Sequence, residues 1–200
     1  MSENAATPAH RNPFRVGRLH ALGFRFPPGE DLETLCARLL AAGGRGAIVG
    51  PHGSGKTTLL EQLAARLRRD GWRVRSQRIG RGQRSLDAAE RAALLDGLGP
   101  GDAVLLDGAG HLHPLAWRGF RRGTQAAGLV VVTCHRRGRL PTLLRTATSP
   151  GLLVELCAEL GEPIETGRAA ALWRNHRGDL RAALRALYDV RAVSRAARHE

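Results

Sequence analysis

One stretch of the chain combines residue types and spacing suited to handling phosphate: Ala47-Ile48-Val49-Gly50-Pro51-His52-Gly53-Ser54-Gly55-Lys56-Thr57-Thr58. Gly50, Gly55, Lys56 and Thr57 match G-x-x-x-x-G-K-[ST], the pattern of a phosphate-binding loop. Glycines let the backbone come close to a polyphosphate, and the successive N–H groups of the loop after Pro51, from His52 to Thr58, form an anion nest at a helix N-terminus. Lys56 supplies a mobile point charge for the β- and γ-phosphates, and the Thr57 hydroxyl suits Mg²⁺. Lys56 is also the only lysine; every other basic side chain apart from histidine is an arginine. An ammonium and a planar guanidinium differ chemically, so the exception marks a functional position.

A phosphate loop needs an acid to hold the metal, at the end of a buried strand. Val104-Leu105-Leu106-Asp107 fits the Walker B pattern, with Asp107 at the strand end where open α/β sheets bind ligands. ATPases with this pattern usually follow the aspartate with a glutamate that polarises the attacking water. Here Gly108 follows, and no acid occurs from Gly108 to Val154. His111, His113 and His135 are the side chains of that segment that can act as bases near neutral pH. Thr133 or His135, beyond the next apolar strand, occupies the expected place of a γ-phosphate sensor. The same segment carries Arg118, Arg121 and Arg122, read chiefly as a solvated helix face, and Arg136, Arg137, Arg139 and Arg145. Arginines near the loop around Cys134–Arg139 could neutralise transition-state charge, in cis or from a second subunit. Homo-oligomerisation therefore stays open.

The elements that must position these groups follow from periodicity. Helical spacing of Leu32, Leu35, Leu39 and Leu40 predicts a helix over 31–42, ended by Gly43-Gly44. Strands are predicted at 47–49, 72–77, 103–107 and 129–133, with another near 143–148. Helices are predicted at 56–69, 86–96 (capped by Ser85) and 114–127. Alternating strands and helices imply an α/β fold, a doubly wound and mainly parallel sheet. After Ser149 only helices are predicted, at 150–160, 166–176 and 179–192. The expected organisation is an N-terminal arm (1–30), a nucleotide-binding core (31–148) and a helical lid or tail (149–200). Within the arm, Phe14, Val16, Leu19, Leu22, Phe24 and Phe26 are too apolar for a free tail and are expected to dock.

The chain has 200 residues, a formal charge of +13 and 4% aromatic residues. Such an excess of arginine favours polyanionic partners, either nucleic acid or an acidic protein surface. Cys36, Cys134 and Cys157 lack C-x-x-C spacing, so neither a disulfide framework nor a zinc site is indicated. With no apolar run near 18 residues, the expectation is a soluble cytoplasmic protein without a membrane span.

With the loop, the Asp107 strand, the 129–133 strand and the helical tail in place, the chain resembles AAA+ and related STAND-type ATPases over roughly residues 45–190. Gly178-Asp179-Leu180-Arg181 is similar to the G-D/N-x-R of their sensor 2 helix. The resemblance implies that Arg181 reaches the nucleotide phosphates; the residues themselves equally fit an Asp179-capped helix with Arg181 exposed. The leading expectation is an ATP- and Mg²⁺-binding protein acting as a weak ATPase or nucleotide-dependent switch. One alternative is a small-molecule kinase, weakened because Arg78-Ile79-Gly80-Arg81 stands where an acid is needed. Another is an ATP-modulated nucleic-acid-binding module using Arg73, Arg75, Arg78, Arg81 and Arg84. GTP is disfavoured, since its N-K-x-D reading motif requires a second lysine.

Overall fold

A computed structural model describes residues 22–196. Phe14, Val16 and Leu19 lie outside the described residues. In chain order the elements are α1 (Leu32–Ala41), β1 (Arg45–Val49), α2 (Lys56–Arg69), β2 (Arg73–Arg78), α3 (Ala88–Leu95), β3 (Asp102–Asp107), α4 (Pro114–Gly123), β4 (Leu129–Cys134) and β5 (Thr142–Arg145). Three helices complete the described chain: α5 (Pro150–Glu159), α6 (Thr166–Asn175) and α7 (Leu180–Ala196).

Local chemistry sets the boundaries. Asp31 caps α1 by accepting from Thr34 N at 2.7 Å. The cap of α3 is Asp87 rather than Ser85: Asp87 and Glu90 form a reciprocal capping box, which satisfies two backbone donors where serine would satisfy one. Helix α4 stops at Gly123, four residues earlier than periodicity predicts. Thr124 turns its hydroxyl back onto the Phe120 carbonyl, and Ala127 N–H donates to Thr124 O in the turn before β4.

The five strands form one wholly parallel sheet in the order β2-β3-β4-β1-β5. Side chains alternate across it, so each face builds its own core. On one face Ile48, Leu105 and Val131 pack with Leu35 and Leu39 of α1 and with Leu59, Leu63 and Leu67 of α2. On the other, Val49, Val104, Leu106 and Val132 pack with Leu94 of α3 and with Trp117 and Phe120 of α4. Phe24 and Phe26 sit edge to face, centroids 4.9 Å apart, against the first core.

The chain clusters into two compact units. One comprises Phe24–Gly50 and Gly55–Thr146, the α/β sheet and its helices. The other unites Leu22, the four residues Pro51–Ser54 and the helices from Ala147 onward. The division differs from the sequence expectation at three places, the smallest being Ala147 and Thr148, which fall with the helical unit. Residues 24–30 belong with the sheet rather than with an arm, because their phenylalanines enter its core. Pro51–Ser54 belong with the helical unit, whose own core is Leu153, Cys157, Ala169, Ala183, Leu184 and Leu187, joined by Leu22. No helix among the described residues is long and apolar enough to cross a membrane.

At the N-terminal end of β3, Asp102 is completely buried and faces the edge strand. Arg73 donates to both of its oxygens, at 3.1 and 3.0 Å, and Gly99 N–H donates at 2.7 Å. The Arg73 bonds, then the Gly99 bond, hold this carboxyl down at about 2 against an ordinary 3.8. A depressed carboxyl contributes stability that is complete above its unfolded value and disappears as pH falls through its folded value. Asp102→Asn is therefore expected to lower the urea midpoint at pH 7, and the gap to wild type should close as pH approaches 2. A gap unchanged from pH 7 to 2 would contradict the assignment.

Candidate functional site

Because the sheet is parallel, the C-terminal ends of β1, β3 and β4 share one edge, and the loops leaving them converge. The loop after β1 leads directly into α2. Gly53 and Gly55 take φ of 66° and 80°, and Gly55 is the N-cap of α2, whose first residue is Lys56. Lys56 is 8% exposed, with Nζ 2.9 Å from the Gly50 carbonyl that it donates to. His135, just past β4, brings Nδ1 to 3.2 Å from the same carbonyl and 3.5 Å from Lys56 Nζ. The Gly50 carbonyl can only accept and the Lys56 ammonium can only donate, so the two contacts ask opposite tautomers of the His135 ring.

Asp107 is the second centre. Oδ2 accepts from Thr57 Oγ1 at 2.8 Å and from Arg78 Nε at 3.0 Å, while Oδ1 accepts from Thr133 Oγ1. The Thr133 hydroxyl in turn accepts from Gly108 N–H at 2.8 Å. Burial pushes the Asp107 carboxyl up, but the hydroxyl bonds from Thr133 and Thr57 and the charge and bond of Arg78 outweigh it, so the net shift is downward. Asp107 is therefore an anion at neutral pH. The Thr57 hydroxyl and the Asp107 carboxylate are hard oxygen donors, already within bonding distance of each other, and such a donor set fits Mg²⁺.

The sheet unit thus brings together Gly50, Gly55, Lys56, Thr57, Asp107, Thr133 and His135. Thr58 follows on the first turn of α2 and is half-buried. Thr133 is 1% exposed and commits its hydroxyl to Asp107, so it positions the acid rather than facing a ligand. Among the histidines, His113 caps α4, its Nδ1 accepting from Leu115 N at 3.3 Å. His111 lies edge to face with His135, ring centroids 5.7 Å apart. Cys134 ends β4 at this edge, but burial pushes its thiol up to about 11, which excludes a ready thiolate nucleophile.

In the helical unit, Pro51 and His52 are exposed, and the buried Ser54 hydroxyl donates to Pro51 O at 2.8 Å. Gly53 lies against the turn before α7: a Cβ there would stand 2.0 Å from Asp179 Oδ1. Asp179 caps α7, accepting from Ala182 N at 3.0 Å, and Arg181 is exposed on its first turn. Of the two readings of Gly178–Arg181, the capped helix is the one the described geometry displays.

Arg78 is the residue that the sequence analysis leaves outside this site. Its signal is available only through strand pairing: β2 runs parallel to β3 with Arg78 opposite Asp107. A strand that ends at Gln77, as periodicity predicts, stops one residue short of it. No family model matches the chain, and a search of the curated proteins finds no match to it.

Proposed function

We propose that the chain binds ATP with Mg²⁺ on the Gly50–Thr58 loop and acts as a slow ATPase or nucleotide-dependent switch. One observation carries the reading: the lysine of the loop, the hydroxyl after it and an ionised acid from a separate strand meet at one sheet edge. The loop N–H groups and Lys56 would take the phosphates, and Thr57 with Asp107 would hold the metal. The metal, when bound, neutralises charge on the phosphate oxygens. Thr133 and Arg78 hold Asp107, and His135, beside Lys56, would accept a proton or register the terminal phosphate. The likeness to AAA+ and STAND-type ATPases belongs to the same proposal, supported by packing of the Gly178-Asp179 turn against Gly53 at the loop tip. The kinase alternative loses further ground, since Arg78 is occupied with Asp107 rather than free to face an acceptor.

The test is thermal. A ligand that binds only the native state at a hundred times its Kd adds about 2.7 kcal/mol, or roughly 5–11 °C in a domain of this size. ATP with Mg²⁺ is expected to raise the melting temperature by that order, and Lys56→Ala to abolish the rise. Lys56→Arg should also fail, because a guanidinium is wider than the ammonium seated over Gly50 O. An unchanged melting curve at millimolar ATP would overturn the proposal.

A further inference from the structure

We infer that the surface formed by α4 and the β4–β5 loop binds duplex nucleic acid through its phosphates. Two clefts lie side by side on this face, of about 570 and 510 Å³, and Trp117 lines both. The first is bordered by Arg136, Arg137 and Arg139, the second by Arg45, Arg118, Arg121 and Arg122. Among the described residues, no aspartate or glutamate lines either cleft.

The arginines divide into two kinds. Arg139 and Arg45 are part of the framework: Arg139 lies 5.0 Å over the Trp117 ring and donates to Leu112 O, and Arg45 donates to the carbonyls of Thr124, Gln125 and Ala127. Arg118, Arg121, Arg122, Arg136 and Arg137 are exposed, and their guanidiniums have no ion pair or hydrogen bond among the described residues. Three of these five stand at i, i+3 and i+4 on α4, neighbours on one helix face. The other arginine-rich stretch behaves differently. On β2, Arg73 and Arg75 approach Asp102 to 3.0 and 3.8 Å, and Arg78 is bound to Asp107. The β2 arginines are thus paired, whereas Arg81 and Arg84 beyond them are exposed like the five of this face. What sets the five apart is that they gather around the two adjoining clefts.

A dense row of planar guanidiniums fits a polyphosphate better than the sparse carboxylates of a protein surface. The choice of duplex rests on the aromatics. Single-strand binders add exposed rings on which bases stack, whereas here Trp117 and Phe120 are 7% and 1% exposed. The surface can grip a backbone and offers no platform to a base, so binding should be indifferent to sequence. It needs no nucleotide, and it stands whether or not the Gly50–Thr58 loop binds ATP.

The test is anisotropy of a labelled 20-base-pair mixed-sequence DNA duplex with the full chain, without nucleotide, across a salt series. Five phosphate contacts give a log–log salt slope steeper by about 4.5 than a protein lacking them, roughly 500-fold over a fourfold rise in salt. Replacing Arg118, Arg121, Arg122, Arg136 and Arg137 by Gln is expected to remove that part of the slope. A charge-matched variant with Gln at Arg68, Arg69, Arg81, Arg84 and Arg185 should keep it. Should the fivefold variant melt early, the α4 triple and the Arg136–Arg137 double are measured separately, and each should lose its share. Equal losses in the two charge-matched variants would overturn the inference. So would tighter binding of a single-stranded 20-mer, or polyglutamate competing as well as unlabelled duplex.

Discussion

ATP turnover by the wild-type chain is expected to run about 10²–10⁴-fold below that of an ATPase with a positioned general base. The reason lies at Gly108, the residue after Asp107. Its φ is 81°, and a Cβ built on it would stand 2.6 Å from the Ile79 carbonyl. A glutamate there would require both a left-handed backbone and displacement of a main-chain oxygen, so the missing carboxylate is a property of this backbone. Gly108→Glu should accordingly fail to raise turnover and should lower the melting temperature. Whatever turnover exists is expected to pass through His135, whose ring adjoins Lys56. His135→Ala should remove most of it, whereas His113→Ala, which alters the cap of α4, should leave it nearly intact. A pure switch would bind ATP with no measurable turnover and ignore both changes. Ordinary ATPase rates insensitive to His135 would contradict both versions and point to a base from a second subunit.

Asp107→Asn is expected to separate metal from nucleotide. The substitution removes the anion, and the amide must turn a donor toward Thr57 and Arg78 or toward Thr133, all of which donate now. Loss of an outer-shell partner of this kind typically weakens metal affinity by about 10–100-fold. The Mg²⁺ concentration that half-develops the ATP-induced thermal shift should rise by that factor, while the shift without Mg²⁺ stays near wild type. Because Arg78 is 57% exposed, losing its partner should cost the free protein little. An unchanged Mg²⁺ midpoint would mean that Asp107 orders its strand ends and does not serve the metal.

Much of this arrangement is legible in the sequence because the signals are periodic or carry fixed spacing. The apolar runs of β3 and β4, the leucines of α2 and the glycine-lysine loop each announce both an element and its burial. What escapes is information that exists only between strands. Nothing local tells that β4 lies between β1 and β3, which is what brings Thr133 to Asp107 and His135 to Lys56. Nothing local assigns Pro51–Ser54 to the helical unit, since the loop reads as one continuous motif. The cap at Asp87 was legible as a D-x-x-E pattern, although Ser85 two residues earlier offers a competing start. The arginines of α4 and of β2 look alike as letters. Only the pairing of β2 with the acids of β3 separates them.

That pairing has a further consequence. Edge strand β2 carries a single apolar residue, Val74, packed against the first core, so little apolar patterning tells it where along β3 to stop. The ladder instead carries a charged rung at each end, Arg73 opposite Asp102 and Arg78 opposite Asp107. These rungs work like the two end marks of a ruler. A slip of the strand by even one residue would withdraw Arg73 from a completely buried carboxylate, and at the far mark would set Gln77 or Ile79 beside Asp107. The interior aspartate therefore acts as a gauge for an arginine a whole strand-length away. Weakening the closed end of the edge strand would be felt at its open end as a misplaced guanidinium.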